Sequence, residues 1–214
     1  MKKLILSSVA LLFSFSLFAQ NSRMRTNIFG NLEYRSSDGR YKADLKKNIF
    51  DDLEFTDNRN NQIKLEKKYL ASEYPDIHNN ERIRQRLFRN LVRENSRSEG
   101  YKAAYKIDLM DRLVIEDNQG YQLKEHVDIF GNRQTSEKFN GVNTKIGKNI
   151  HGNWEFSASG NRASLEKNIF DQYIYKDSFG NKIQFEKETW KRMIRRFESE
   201  ESIFRSLIDQ FFYD

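Results

Sequence analysis

One four-residue phrase recurs along this chain and constrains its fold more than any other feature. It reads Asn27-Ile28-Phe29-Gly30 where it first occurs, and close copies begin at Asn48, Asn149 and Asn168. Looser copies begin at Asp108 and Asp128, and adjacent copies within each run start 19 to 21 residues apart. Because self-similarity at a fixed period is the signature of a repeat architecture, the sequence predicts about six copies of a unit of roughly 20 residues.

Between the phrases, apolar residues alternate with polar ones, as Leu32 and Tyr34 do around Glu33. Such alternation is typical of a strand that buries one face. Segments rich in Asp, Asn, Ser and Gly separate the strands within a copy, for example Ser37-Asp38-Gly39 and Asp177 to Asn181, and these residues suit tight hairpin loops. The predicted fold is therefore mainly β, an antiparallel array of about six tandem hairpins and twelve short strands. One sheet, a sandwich of two sheets and a spiral of hairpins all fit this pattern.

The fourth copy departs from the pattern, because Arg133 and Thr135 occupy the positions that are apolar in the other first strands. A strand without an apolar face is expected at an edge of the sheet, as a degraded repeat, or at a contact with another molecule.

Two segments show helical periodicity instead. After Pro75, the stretch from Asn80 to Val92 places Ile83, Leu87 and Leu91 on one face, which predicts an inserted helix. Near the C-terminus, two apolar stripes flank a polar break at Glu198 to Ser202 and predict one or two helices that cover the sheet. The pattern divides the chain into a signal peptide (1–19), hairpin repeats one and two (20–70), a helical insertion (71–100), repeats three to six (101–187) and a C-terminal helical segment (188–214).

The N-terminus predicts export. Lys2 and Lys3 precede an uncharged run from Leu4 to Ala19, and Phe18-Ala19-Gln20 offers a cleavage site, although Leu17 is larger than usual at its position. The alternative is an uncleaved anchor, but the run falls short of the roughly 20 residues that span a bilayer. We expect a periplasmic or secreted protein with no transmembrane segment after cleavage.

Composition narrows the function classes. The chain has no cysteine, so neither a disulfide nor a thiol-linked lipid supports it. Aromatic residues reach 14%, which is unlike a disordered chain. The net charge is +6, of which Lys2 and Lys3 supply two that leave with the signal peptide. A remaining charge of +4, spread among many acidic residues, does not indicate nucleic-acid binding.

A row of arginines on the predicted inserted helix is the sharpest candidate site in the sequence. Arg82, Arg86, Arg89 and Arg93 share the side opposite its apolar stripe. Arginine binds phosphate or carboxylate with two parallel hydrogen bonds, so an anionic glycan, a lipid headgroup or an acidic partner protein is a candidate ligand. A solvated face with salt bridges to nearby glutamates, and a basic helix lying on a membrane, are the alternatives.

Catalytic and metal-binding patterns do not stand out. The three histidines, His78, His126 and His151, share no metal-ligand spacing. His151 replaces the Phe of the recurring phrase and is expected to be a core or half-buried aromatic substitute. Most loops hold one Asp or none, which turn chemistry explains better than calcium binding. No cofactor is indicated, and a hydrolase would need carboxylates assembled from several strands.

The turn from Asp177 to Asn181 and the 20-residue period resemble the tyrosine–aspartate repeats of bacterial secreted shell proteins. The phrase Tyr-Asp-x-x-Gly-Arg that defines those repeats does not occur in this sequence, so no family is assigned and no encapsulating function is carried over.

The sequence therefore favours an exported, non-enzymatic β-repeat protein that serves as a structural or protein-binding module of the bacterial envelope. An anionic glycan- or lipid-headgroup-binding module that uses the arginine row is the alternative, and a hydrolase is the third possibility. The oligomeric state is left open.

Overall fold

The computed structural model describes residues 23–213 of the chain, so the predicted signal peptide lies outside the described residues. The described chain is mainly β and mostly antiparallel, with four helices, which confirms the predicted fold class at that level. It forms two compact units, the first through Lys106 and the second from Ile107.

In the first unit, each strand lies beside its neighbour in the sequence. The strands are β1 (Arg23–Thr26), β2 (Leu32–Arg35), β3 (Lys42–Lys47), β4 (Leu53–Asp57), β5 (Gln62–Leu65) and β6 (Lys102–Ile107). All of these pairs are antiparallel except β5 and β6, which run parallel. Because parallel neighbours need a crossover connection, the helices α1 (Lys67–Glu73) and α2 (Glu81–Asn95) join them.

Helix α2 is the inserted helix that the apolar periodicity predicts. Its start is fixed by Asn80, whose side chain accepts hydrogen bonds from the backbone N–H groups of Arg82 and Ile83, as an N-cap residue does. Helix α1 begins where the sequence pattern predicts the end of a hairpin. The Lys67 N–H there donates to Asp52 Oδ1 over 2.9 Å, which ties the first turn of α1 to the sheet.

The core of the first unit lies between one face of the sheet and these helices. Leu32, Leu45 and Phe55 are buried on the sheet side, and Phe55 meets Phe88 of α2 with ring centroids 6.1 Å apart. Leu87, Leu91 and Val92 are buried on the same side of α2. The alternating residues of the strands, such as Glu33 and Lys64, occupy the other face, which has no helix against it among the described residues.

The second unit repeats this plan with antiparallel strands alone. Its strands are β7 (Leu113–Asp117), β8 (Gln122–Val127), β9 (Arg133–Phe139), β10 (Val142–Lys148), β11 (Trp154–Ala158), β12 (Asn161–Lys167), β13 (Tyr173–Asp177) and β14 (Lys182–Phe185). Helices α3 (Lys187–Phe197) and α4 (Glu200–Phe211) follow and pack on β10 to β13, with Trp190 stacked on Tyr173 and Phe204 beside Trp154. The chain bends between the two helices at Glu198, which has a φ of +67°.

The described chain has fourteen strands, two more than the predicted twelve. The additional strands are β1 and β6, which precede the phrases at Asn27 and Asp108. Each recurring phrase is itself a turn between two strands, so a strand must precede the first phrase of each run.

The expectation that the fourth copy lies at a sheet edge is wrong. Strand β9, which carries Arg133 and Thr135, is hydrogen-bonded to β8 on one side and β10 on the other. Chain order sets its place, because each strand pairs with its sequence neighbour. Its apolar positions are free to become polar because the buried cluster beneath α3 and α4 begins at Ile146 on β10 and includes no residue of β9.

In each unit, an asparagine ties the end of the longer helix to a hairpin turn. Asn61 is fully buried, and its Nδ2 lies 2.8 Å from Asp57 Oδ2, 3.1 Å from the Asn95 carbonyl and 3.0 Å from the Ser98 carbonyl. Its Oδ1 accepts from the Tyr101 N–H over 2.8 Å. In the second unit, Asn181 joins Asp177 and the Phe211 carbonyl in the same way.

Replacing Asn61 with Ala should therefore destabilise the first unit by about 2–4 kcal/mol, because several buried polar groups would lose their partner. Asn181 is partly exposed and makes fewer hydrogen bonds, so Asn181→Ala should lower the free energy of unfolding by only about 1 kcal/mol. Urea unfolding of both variants measures the two losses. If Asn61→Ala lowered the free energy of unfolding by less than Asn181→Ala does, the role assigned to the Asn61 side chain would be contradicted.

Candidate functional site: six apolar turns

The six recurring phrases form six turns of one geometry. In each turn, the side-chain oxygen of the first residue (Asn or Asp) accepts backbone N–H groups from the third and fifth residues. The backbone N–H of the fourth residue donates to the first residue's carbonyl. The fourth residue has a positive φ, from +56° at Asp111 to +80° at Gly131, which explains why Gly or Asp stands there.

The second and third residues of these turns, here called the turn tips, are exposed. The tips are Ile28-Phe29, Ile49-Phe50, Leu109-Met110, Ile129-Phe130, Ile150-His151 and Ile169-Phe170. Four of the isoleucines are 91–93% exposed, Leu109 is fully exposed, and the four phenylalanines are 60–81% exposed. Large apolar side chains therefore occupy eleven of the twelve tip positions and lie in solvent. Isolated exposed apolar residues are common in proteins, but a repeated set of this size indicates a contact surface.

The turns at the opposite end of the strands show that the backbone does not require apolar tips. Asp57, Asp117 and Asp177 open turns with the same pair of side-chain hydrogen bonds and the same positive φ at the fourth residue. Their tips are Asn58-Arg59, Asn118-Gln119 and Ser178-Phe179. One turn geometry thus carries mainly polar tips at one end of the strands and apolar tips at the other.

Strand pairing brings the apolar turns of each unit to one end of its strands. In the first unit they lie between β1 and β2 and between β3 and β4. In the second they precede β7 and lie between β8 and β9, between β10 and β11, and between β12 and β13. Turns that are two strands apart are separated by about 10 Å. Each unit therefore has a row of apolar tips along one end of its strands, and we call these the apolar turn rows.

The expectation that His151 is a core or half-buried residue is wrong, because the residue is exposed at the tip of the fifth apolar turn. That expectation treats the apolar residues of the phrase as core residues. The signal that could have revealed the tips is the residue pattern itself. Asn or Asp first and Gly or Asp fourth mark a β-turn, which places the residues between them away from the sheet.

Charged residues lie directly beneath the apolar tip of one turn in each unit. Asp51 binds the Lys47 and Lys67 ammonium groups over 3.0 and 2.9 Å, and Asp171 binds Lys167 and Lys187 over 2.8 Å each. Hydrogen bonds from these lysines lower the pKa of both aspartates to about 2. The tips at 49–50 and 169–170 are therefore backed by groups that are ionised at neutral pH and that carry both signs of charge.

The structure places the arginine row on the outward face of α2. Arg82, Arg86, Arg89 and Arg93 are all exposed, while the opposite face is buried. The salt-bridged face considered from the sequence is largely absent, since within residues 23–213 only Arg93 of the four lies within 4 Å of a carboxylate, 3.7 Å from Glu94. The other three guanidinium groups have no side-chain partner in this part of the chain.

The open face of the second unit forms a shallow groove of about 910 Å³ over β10 to β13. Its lining includes Lys145, Ser157 and Arg162, which lie side by side across three strands. Three carboxylates, Glu155, Glu166 and Asp177, also line it. The Lys176 ammonium lies 2.8 Å from Glu166 and lowers the pKa of that carboxyl group, so Glu166 is ionised at neutral pH and cannot donate a proton there.

The remaining candidate groups do not assemble into a site. His78 follows α1, His126 is on β8 and His151 is on a turn tip. Within residues 23–213, no three His, Asp or Glu side chains are placed to hold a metal ion. In the same residues, no helix is long and apolar enough to span a membrane.

Searches of protein-family models, of curated proteins and of solved structures find no match to this chain.

If the apolar tips are not part of the core, replacing them should leave stability unchanged. Ile169→Ser combined with Phe170→Asn should shift the free energy of unfolding by no more than about 0.5 kcal/mol, since both residues are exposed. The matched change at a buried ring, Phe204→Ala, should cost about 3–5 kcal/mol. Urea titrations of the two variants make this comparison. A loss of several kcal/mol at the tip would mean that these side chains support the fold.

Proposed function

We propose that the chain is exported and acts as a non-enzymatic binding or structural module of the bacterial envelope, attached to another envelope component through the apolar turn rows. In this proposal, each of the six tandem hairpin repeats contributes one apolar turn to the attachment surface. The observation that carries the proposal is the contrast between the two ends of the strands. Turns opened by Asp57, Asp117 and Asp177 share the geometry of the apolar turns. Five of their six tip residues are polar, the exception being Phe179, whereas eleven of the twelve tip residues at the other end are large and apolar.

The energetics support a contact function for these tips. Burying one Leu, Ile, Phe or Met side chain is worth about 1.5–3 kcal/mol. The four tip residues of the first unit and the seven apolar tip residues of the second contribute little of this to folding, because they stay 60% exposed or more. Burial against another envelope component would recover it.

Attachment through the tips is tested by substituting exposed tip residues that do not stabilise the fold. A variant with Ile49→Ser, Phe50→Asn, Ile169→Ser and Phe170→Asn alters one turn in each unit. Ser37→Asn with Gln119→Asn alters one polar-end turn in each unit and is the matched control. After fractionation of the native host, we expect the wild type and the control in the envelope fraction and the tip variant mainly in the soluble fraction. The same distribution for all three proteins would contradict the proposal.

The arginine row supports a second candidate, the binding of an anionic glycan or lipid headgroup. Three of its guanidinium groups have no partner in residues 23–213, so their hydrogen-bond donors are available to a carboxylate, sulfate or phosphate. The row follows α2 from Arg82 to Arg93, about 16 Å along the helix axis. That length suits an extended anionic chain better than a single small ion.

Arg86→Glu with Arg89→Glu tests this second candidate. The double variant should fold normally and lose retention on an acidic-polymer column. Lys42→Glu with Lys46→Glu makes the same change in net charge on exposed positions of β3 and should keep most of the retention. Equal retention of the wild type and the arginine variant would exclude the row as the binding site.

The hydrolase is a third candidate, and Glu155 and Glu166 in the groove are the carboxylates that it would use. It has the least support, because glycoside hydrolysis needs a protonated acid and the Lys176 ammonium keeps Glu166 ionised.

A further inference from the structure

The apolar turn rows have a shape and a layering that fit one kind of envelope component best. Resting on the proposed function, we propose that each row inserts into the surface of a lipid bilayer, with the apolar tips among the acyl chains and the charged layer beneath them at the headgroups. In each unit the strands then stand upright on the bilayer, and this attachment requires no membrane-spanning helix within residues 23–213.

The separation of the tips favours a fluid partner over a rigid one. Neighbouring tips are about 10 Å apart, with two strands from one tip to the next. None of the phenylalanines at positions 29, 50, 130 and 170 has an aromatic ring contact within residues 23–213. A protein partner would need a separate pocket for each tip, whereas acyl chains close around any protruding side chain.

The available area also argues against a second copy of the chain. At about 100 Å² for each buried apolar side chain, the two tips of the first unit offer roughly 400 Å² and the four tips of the second roughly 700 Å². A stable interface buries about 800 Å² on each partner in a continuous, well-packed patch. The apolar area of either row is smaller than this and is interrupted by gaps.

The distribution of charge matches a headgroup layer. None of the twelve residues at the apolar turn tips is Asp, Glu, Lys or Arg. At one turn in each unit, charges begin within two positions of the tip, with Lys47 and Asp51 around one tip and Lys167 and Asp171 around another. Each aspartate lies between two lysines, so the layer has both signs, as zwitterionic headgroups do. We therefore expect binding that depends on apolar insertion and requires neither anionic lipid nor low salt. Insertion by 5–10 Å, the depth of interfacial protein segments, would place this layer among the headgroups.

The helices are compatible with an upright orientation. Helix α2 starts at the tip end, where Thr26 Oγ1 donates to Glu81 Oε1 over 2.7 Å, and it finishes beside Asn61 at the polar end. Helix α4 runs the same way in the second unit, from the Lys148–Glu200 ion pair to Asn181. The arginine row therefore extends along α2 away from the inserted tips. Binding by Arg86 and Arg89 and insertion of the tips can consequently be tested separately.

Vesicle flotation tests the inference with the mature chain and the two turn variants defined above. We expect the wild type and the polar-end control to float with phosphatidylcholine vesicles, equally at 0.1 and 0.5 M salt. The four-substitution tip variant should no longer float, because each lost apolar side chain reduces partitioning by about tenfold and the four together by about 10⁴-fold. Wild type that does not float on phosphatidylcholine would overturn the inference. Binding that requires phosphatidylglycerol, disappears in 0.5 M salt and is lost in the Arg86→Glu, Arg89→Glu variant would also overturn it.

An environment-sensitive dye separates failure of this inference from failure of the proposed function. The chain has no cysteine, so Phe170→Cys and Ser178→Cys each allow a single dye at an apolar tip or a polar-end tip. A blue shift at residue 170 alone with phosphatidylcholine vesicles is the expected result. A blue shift there only with lipid-free envelope proteins would overturn the lipid inference and leave the proposed function standing. A blue shift only when the protein forms a dimer, or no shift with vesicles and with envelope proteins, would overturn both.

Discussion

The side chain that opens each apolar turn is the interaction on which the rest of the structure depends. One oxygen of Asn27, or of its counterpart in the other five turns, accepts two backbone N–H groups and holds the chain in a reversal. The reversal forces each strand to pair with its sequence neighbour, and this pairing sets the order of the strands within each unit. The same hydrogen bonds direct the second and third residues of the turn away from the sheet, so their side chains are exposed. Strand order and exposed apolar tips therefore have one physical cause.

Much of the fold could be predicted from the sequence, because its signals are local. Alternation such as Leu53 and Phe55 around Glu54 gives the strands and their buried face. The spacing of Leu87, Leu91 and Val92 gives α2, with Asn80 as its cap. The place of β9 could not be predicted from the polarity of Arg133 and Thr135, since connectivity rather than an apolar face holds it between its neighbours. The bonds of Asn61 to Asn95, Ser98 and Tyr101 join residues 34 to 40 positions apart, and no local pattern reports them.

The candidate site was harder to predict than the fold, because the usual rule for apolar residues points the wrong way. Ile49 and Phe50 look like core residues by type, and His151 looks like a core substitute, whereas turn geometry places all three in solvent. The arginine row, in contrast, is found where its spacing places it, on the outward face of α2. Composition alone would not distinguish these surfaces. The apolar surface is distinguished by comparing turns of the same geometry within the chain, some with apolar tips and some with polar tips.

The measurement that tests the account most directly is the depth of single spin labels at the bilayer. Labels placed one at a time on introduced cysteines at the six apolar turns and at the opposite turns can be compared by oxygen and nickel-chelate accessibility in phosphatidylcholine vesicles. Labels at positions such as 50, 130 and 170 should be more accessible to oxygen than to the chelate, as in the acyl region. Labels at positions such as 59, 119 and 178 should remain in water. Equal water accessibility at both ends of the strands would contradict the central claim that the apolar turns are the attachment surface for a bilayer.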